Sequence, residues 1–275
     1  MCDTCGCNIT DANQHLLKPG GKFYRTAEGH EAVTVLKGLL SENDHMAMHN
    51  RQHFDRHGVL AINLMSSPGS GKTALLEATL DAIDKGLRVA VIEGDLETEN
   101  DAERIRKKGI PAIQISTGSA CHLDAHMIHN ALHELSLDDL DIVFIENVGN
   151  LVCPASFDLG QHLNVTLLSV TEGDDKPSKY PVMFRASDLM LLTKIDLLAV
   201  LDDFDLDHAE KNLRKLASTA PVIALSARQQ TGMNGWLDWL QQQRSEQIER
   251  CRQGHTRKPV IQPDGQRLHA GMQAP

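Results

Sequence analysis

Short, continuous apolar runs alternate along the chain with longer segments whose apolar residues recur every three or four positions. Seven runs stand out: Val59 to Met65, Arg88 to Ile92, Pro111 to Ser116, Asp141 to Ile145, Asn164 to Val170, Asp188 to Thr193 and Pro221 to Ser226. Runs of this kind predict strands buried on both faces, and the segments between them predict helices that carry the chain from one strand to the next. Right-handed βαβ crossovers then give a mostly parallel sheet with helices on both sides, a three-layer α/β sandwich. A further helical stretch runs from about Glu31 to Phe54, ahead of the first strand. Residues 1–29 show no sustained apolar period and predict a flexible tail, leaving a folded domain over 30–243. After about Gln243 the composition turns to Gln, Arg, Pro and Gly, which predicts a disordered extension over 244–275.

Composition narrows the partners. A formal net charge of -10 speaks against nucleic acid and anionic lipid, both of which reward a surplus of Lys and Arg. No stretch approaches the roughly 20 apolar residues needed to span a bilayer, so membrane insertion is not expected. The amino terminus lacks an apolar signal region, which predicts a cytoplasmic protein with reduced cysteines. Three of the six cysteines, Cys2, Cys5 and Cys7, crowd into that terminus, a spacing that favours metal ligation over a disulfide framework. They offer three thiolates, with the Cys2 amine as a fourth donor once Met1 is removed; Ni²⁺ in a square plane and Zn²⁺ in a tetrahedron both fit such a set.

The first apolar run leads into Ser66-Ser67-Pro68-Gly69-Ser70-Gly71-Lys72-Thr73, and a helical pattern follows. This is a P-loop in its strand-turn-helix context. Backbone N–H groups of Gly69, Ser70 and Gly71 curl around phosphates, Lys72 reaches the β and γ phosphates, and the Thr73 hydroxyl ligates Mg²⁺. Ser66 stands where the general pattern has its first Gly. Further on, Thr193-Lys194-Ile195-Asp196 ends a later run and resembles the guanine-reading tetrapeptide of GTPases. Asp196 would accept hydrogen bonds that guanine offers and adenine does not, while the Lys194 stem covers the base. Ser226 and Ala227 end another run and resemble the second base-contacting loop. Two strand ends carry acids, Glu93-Gly94-Asp95 and Glu146-Asn147-Val148-Gly149. Asp95 and Glu146 are the candidates to hold Mg²⁺ or its waters, and Gly149 the candidate pivot that senses the γ phosphate.

Residues Phe144 to Gly160 read Phe-Ile-Glu-Asn-Val-Gly-Asn-Leu-Val-Cys-Pro-Ala-Ser-Phe-Asp-Leu-Gly. With that string, the nucleotide motifs and Cys2-x-x-Cys5-Gly6-Cys7, the chain resembles the HypB family of hydrogenase nickel-insertion GTPases from about Glu31 to Leu240. The resemblance implies a SIMIBI-class G domain, slow conversion of GTP to GDP, a GTP-dependent homodimer and nickel delivery to [NiFe]-hydrogenase. It also implies partners: a HypA-type metallochaperone and the hydrogenase large-subunit precursor. In the family Cys121, His122 and Cys153 make a second metal site, for Ni²⁺ or Zn²⁺, near the dimer interface. Cys153 lies four residues beyond Gly149, so movement of that loop would reach the metal. Two competing readings are a urease-type or other metallochaperone of the same superfamily and a nickel-storage protein with vestigial GTPase activity.

Two histidine rows remain: His45, His49, His53 and His57, then His122, His126, His129 and His133. Their spacings put each row along one helical face, where adjacent imidazoles can chelate a divalent ion; the first row reads as a solvated polar stripe or as additional nickel capacity, and the second beyond His122 as a solvated face.

Overall fold

The computed structural model describes residues 32–95, 100–118 and 120–259. The elements in chain order are α1 (Ala32–His57), β1 (Leu60–Ser66), α2 (Lys72–Ala82), β2 (Val89–Asp95), α3 (Asn100–Arg106), β3 (Ala112–Ser116), α4 (Ala125–Leu132), β4 (Ile142–Glu146) and β5 (Leu163–Ser169). Then come α5 (Lys176–Lys179), α6 (Pro181–Arg185), β6 (Leu189–Thr193), α7 (Leu206–Arg214), β7 (Val222–Ala224) and α8 (Met233–Arg252). All seven expected strands form. They pair in parallel in the order β3-β2-β4-β1-β5-β6-β7, giving the three-layer sandwich the apolar runs predict.

Every residue of β1, β4, β5 and β6 is buried, as a strand covered on both faces requires. Alternation along β1 divides the core. Leu60, Ile62 and Leu64 pack with Leu75, Leu76 and Trp236 from α2 and α8, whereas Val59 and Ala61 pack with Phe54 of α1 and with Ile128 of α4. A third cluster under β5 and β6 gathers Leu168, Met190 and Leu192 against Phe184 and Leu213. Because β1 lies between β4 and β5, the loops leaving these three strands converge at their carboxyl ends, where open α/β sheets bind ligands.

Two helices depart from the sequence expectation. Helix α1 continues to His57, and much of the face it buries is polar. Asn43 donates to the Asp158 carbonyl at 2.8 Å, Asn50 to the Ala125 carbonyl at 2.8 Å, and Arg51 pairs with the Asp158 carboxylate at 2.6 and 2.8 Å. The extension expected to be disordered from residue 244 begins instead as the second half of α8, which runs to Arg252, with described chain on to Pro259. Its docking face is again polar, which removes the apolar period that would have marked it. Gln247 is fully buried and donates to Asp55 at 2.9 Å, Arg244 pairs with Asp141 at 2.8 Å, and Arg257 donates to Gln243 at 2.7 Å. Cys251 joins the same network, with its Sγ 3.4 Å from the Gln247 amide. Residues 1–29, with Cys2, Cys5 and Cys7, and residues 260–275 lie outside the described residues.

Candidate functional site

The turn from β1 into α2 is tight, and glycine makes it possible. Gly69 and Gly71 have φ of 75° and 97°, the left-handed region that side chains disfavour, and Gly71 caps α2. Lys72 is buried and its Nζ donates to the Ser66 hydroxyl at 3.0 Å. The residue that breaks the usual glycine pattern thus holds the lysine of the loop. Glu172, which belongs to none of the sequence motifs, braces the same loop. Its carboxylate accepts from the hydroxyls of Ser67 and Ser70, the latter at 2.6 Å, and from the Ser169 amide at 3.0 Å. The available signal was an acid just beyond the end of a central strand.

The two motifs proposed to read a base meet beside the P-loop. Thr193 donates to the Ser70 carbonyl at 2.8 Å, and Lys194, held at φ 60°, reaches across to the Gly69 carbonyl at 2.6 Å. Ser226 donates to Asp196 at 2.6 Å, fixing the carboxylate at the mouth of a cavity of about 310 Å³. Ser70, Gly71, Lys194, Asp196, Ser226 and Ala227 line it. Its volume falls at the lower end of small-molecule sites.

Beside Thr73 lies a group of acids. Glu93, Asp101 and Glu146 bring one oxygen each within 4.8 Å of the others. Thr73 donates to Glu146 Oε1 at 2.9 Å, whereas Glu93 Oε2 and Glu146 Oε2 are buried with no hydrogen-bond partner. Orphaned carboxylate oxygens next to a hydroxyl are an oxygen-rich donor set suited to a hard divalent cation such as Mg²⁺. Asp95, the expected acid of this pair, is not in the group; Glu93, two residues earlier on the strand, is. Glu93 lies inside the strand and is 2% exposed, whereas Asp95 ends it.

Burial pushes the Glu93 carboxyl up to about 8, helped by Glu146, and pushes Glu146 up to about 7 against the pull of Lys72 and Thr73. Both values lie above the ordinary 4.5, so the folded chain keeps protons that the unfolded chain releases. Their contribution to stability is present below pH 4.5 and is lost as pH rises through 7 and 8. The thermal midpoint of metal-free protein should therefore fall less steeply over that window in Glu93→Gln than in the parent, as differential scanning fluorimetry at several pH values would show.

The third group is Cys121, His122 and Cys153, whose donor atoms also lie within 4.8 Å of one another. The two Sγ atoms are 3.0 Å apart, and Cys121 Sγ is 3.8 Å from His122 Nδ1. Donors held at about 2.0–2.3 Å by one ion are no more than about 4.6 Å apart, so the trio converges on an ion-sized space. His122 is fixed by stacking on Phe157, with ring centroids 3.9 Å apart.

One loop ties these groups together. Glu146 ends β4 against Thr73, and Gly149 lies so close to the P-loop that a Cβ there would fall 2.8 Å from Pro68 Cα. Asn147 accepts from the Leu123 amide at 3.2 Å, Asn150 donates to the Cys121 carbonyl at 3.2 Å, and Cys153 follows three residues later.

The family model of the CobW/HypB/UreG nucleotide-binding domain matches residues 60–224. The hydrogenase maturation factor HypB of Escherichia coli K12 is 53% identical over 206 residues, covering 75% of this chain and 71% of that protein. The hydrogenase/urease maturation factor HypB of Helicobacter pylori is 41% identical over 218 residues, covering 78% and 89%. Among solved structures, H. pylori HypB in complex with nickel superposes with a TM-score of 0.70 at 40% identity, covering 78% of this chain and 97% of that one. HypB from Archaeoglobus fulgidus gives 0.70 at 38% identity, covering 74% and 100%.

Proposed function

The chain belongs to the CobW/HypB/UreG nucleotide-binding family, as one of its HypB hydrogenase maturation factors, and we propose that it uses GTP binding and slow hydrolysis to control nickel delivery. The observation that carries this reading is the loop from Glu146 to Cys153. It touches the P-loop at Thr73 and Pro68 and the thiol-imidazole trio at Cys121. A change at the γ phosphate that displaces Gly149 would thus displace Cys153, altering the donor geometry for nickel, the cargo.

In this account Gly69, Ser70, Gly71 and Lys72 cradle the phosphates, and Lys72 carries the positive charge toward the β and γ groups. Thr73, Glu146 and Glu93, with Asp101 beside them, would hold Mg²⁺, which when bound neutralises charge on the phosphate oxygens. Turnover is slow and the bound nucleotide acts as a timer. Cys2, Cys5 and Cys7 form a separate nickel site ahead of the domain, and Zn²⁺ is an alternative occupant of the Cys121 trio. GTP favours a homodimer, a reading supported by Val152, an apolar residue 55% exposed directly beside Cys153. A HypA-type metallochaperone and the hydrogenase large-subunit precursor are the proposed partners, in the cytoplasm. Among the described residues no helix is long and apolar enough to cross a membrane.

Cys153→Ser is expected to weaken nickel binding at the trio and to remove its dependence on nucleotide, while the amino-terminal thiols keep their ion. Isothermal titration with Ni²⁺ in the presence of GDP and of a non-hydrolysable GTP analogue checks this; persistence of the nucleotide dependence would place the coupling elsewhere.

Base selection has its own test. In Asp196→Asn the side chain keeps its size but gives up the carboxylate that accepts from guanine. The preference for GDP over ADP is expected to fall by about tenfold or more in competition binding, because a lost charged acceptor costs about 1.5–3 kcal/mol.

A further inference from the structure

The two histidine rows read separately from the sequence face each other in the fold. Helix α1 packs along α4, and His49 and His53 of the first meet His129 of the second, with His133, the residue that caps α4, beside His129. Ring centroids are 4.5 Å apart for His49 and His53, 4.7 Å for His129 and His133, and 5.0 Å for His49 and His129. His53 and His57, with His129 and His133, line a cavity of about 290 Å³ between the helices.

The chemistry of the central pair is specific. Asn50 uses its amide nitrogen on two backbone carbonyls, Ala125 at 2.8 Å and Leu159 at 3.1 Å, so its oxygen is left as an acceptor. That oxygen lies 3.2 Å from His129 Nδ1, which must therefore carry the proton. The His129 Nε2 then presents a lone pair and accepts from His133 Nε2–H, 3.2 Å away; an ion that takes the place of this shared proton is bound by both nitrogens once His133 carries its proton on Nδ1. An imidazole whose far nitrogen is pinned by a hydrogen-bond partner is the usual form of a metal-ligating histidine. Two nitrogens bound at about 2.0–2.1 Å to one ion stand about 3.0 Å apart at a right angle and about 3.4 Å apart at the tetrahedral angle. The observed separation falls between these.

We propose that α1 and α4 together form an additional transition-metal site, built only from imidazoles, in which His129 and His133 chelate a late first-row divalent ion such as Ni²⁺ or Zn²⁺. His49 and His53, exposed and half-buried respectively, complete the coordination by side-chain rotation. The site draws on no thiol and shares no residue with the nucleotide cradle, so it stands or falls independently of the coupling between GTP and Cys153. Its role is capacity: a store of borderline metal on the face of the domain carrying α1 and α4, held by neutral nitrogen donors that release more readily than thiolates do.

Equilibrium dialysis of the reduced full-length chain against Ni²⁺ tests it. His129→Gln/His133→Gln is expected to bind one ion fewer per chain than the parent, with unchanged thiolate-to-metal absorbance and an unchanged circular dichroism spectrum. His49→Gln/His53→Gln is expected to keep the site with affinity lowered about tenfold or more. In the parent, Zn²⁺ titration followed by histidine side-chain NMR should shift the Nε2 resonances of His129 and His133 first. An undiminished nickel count in the folded His129/His133 variant overturns the site, and an unchanged affinity in the α1 variant overturns its sharing between the two helices.

Discussion

Lys72→Ala is expected to lower the rate of GTP hydrolysis by at least about a hundredfold, the loss seen when one preorganised donor is removed from developing negative charge. The lysine is buried and its ammonium donates to the Ser66 hydroxyl, which uses one of its three N–H groups and leaves its charge available to phosphate oxygens. Removing it also leaves Glu93 and Glu146 without the positive charge that draws both toward the ionised form. Phosphate release under single-turnover conditions reads the effect. Nickel binding by Cys2, Cys5 and Cys7 should survive in the same protein, because that segment precedes the nucleotide-binding domain. Equal loss of both activities in a folded variant would contradict the separation.

The second large effect is on stability. Arg51 and Asp158 are 2% and 7% exposed and share two short hydrogen bonds that fasten α1 to the segment between β4 and β5. Asp158→Ala strands a buried guanidinium and also removes the acceptor for the Gly160 amide, 2.9 Å away. Breaking one side of such a pair costs about 3–5 kcal/mol, which for a domain of this size lowers the thermal midpoint on the order of 10 °C. Arg51→Met combined with Asp158→Ala should recover part of that loss, since the uncompensated charge is then gone. Thermal melts of the three proteins decide it; a double variant no more stable than Asp158→Ala would mean that the pair matters through shape rather than charge.

What the sequence reveals and what it conceals divide along one physical line. Strands such as Val59 to Met65 are legible because burial on both faces writes a continuous apolar run. The P-loop and the Asp196 and Ser226 loops are legible because each follows such a run at a fixed spacing. The structure brings these last two together through a hydrogen bond of 2.6 Å. Polar burial is where pattern fails. The second half of α8 docks through Gln247 and Arg244, so it carries no apolar stripe. Glu93 sits inside an apolar strand, where composition gives no reason to prefer it to Asp95. Each histidine row is visible as a helical face, but that the two faces meet depends on how α1 packs on α4, a tertiary contact with no local signature.

The same distinction explains why the coupling between nucleotide and cargo needs the structure. Spacing alone puts Cys153 four residues after Gly149. Only the fold shows Gly149 against Pro68 and Asn150 on the Cys121 carbonyl, so that a single loop contacts both groups.

The most direct test of that coupling is a Ni²⁺ titration of the intact, reduced chain, performed with Mg²⁺–GDP and then with Mg²⁺ and a non-hydrolysable GTP analogue. One class of thiolate-containing site is expected to change affinity between the two nucleotide states while the others stay constant. Identical nickel isotherms in both states, with GTP turnover intact, would contradict it.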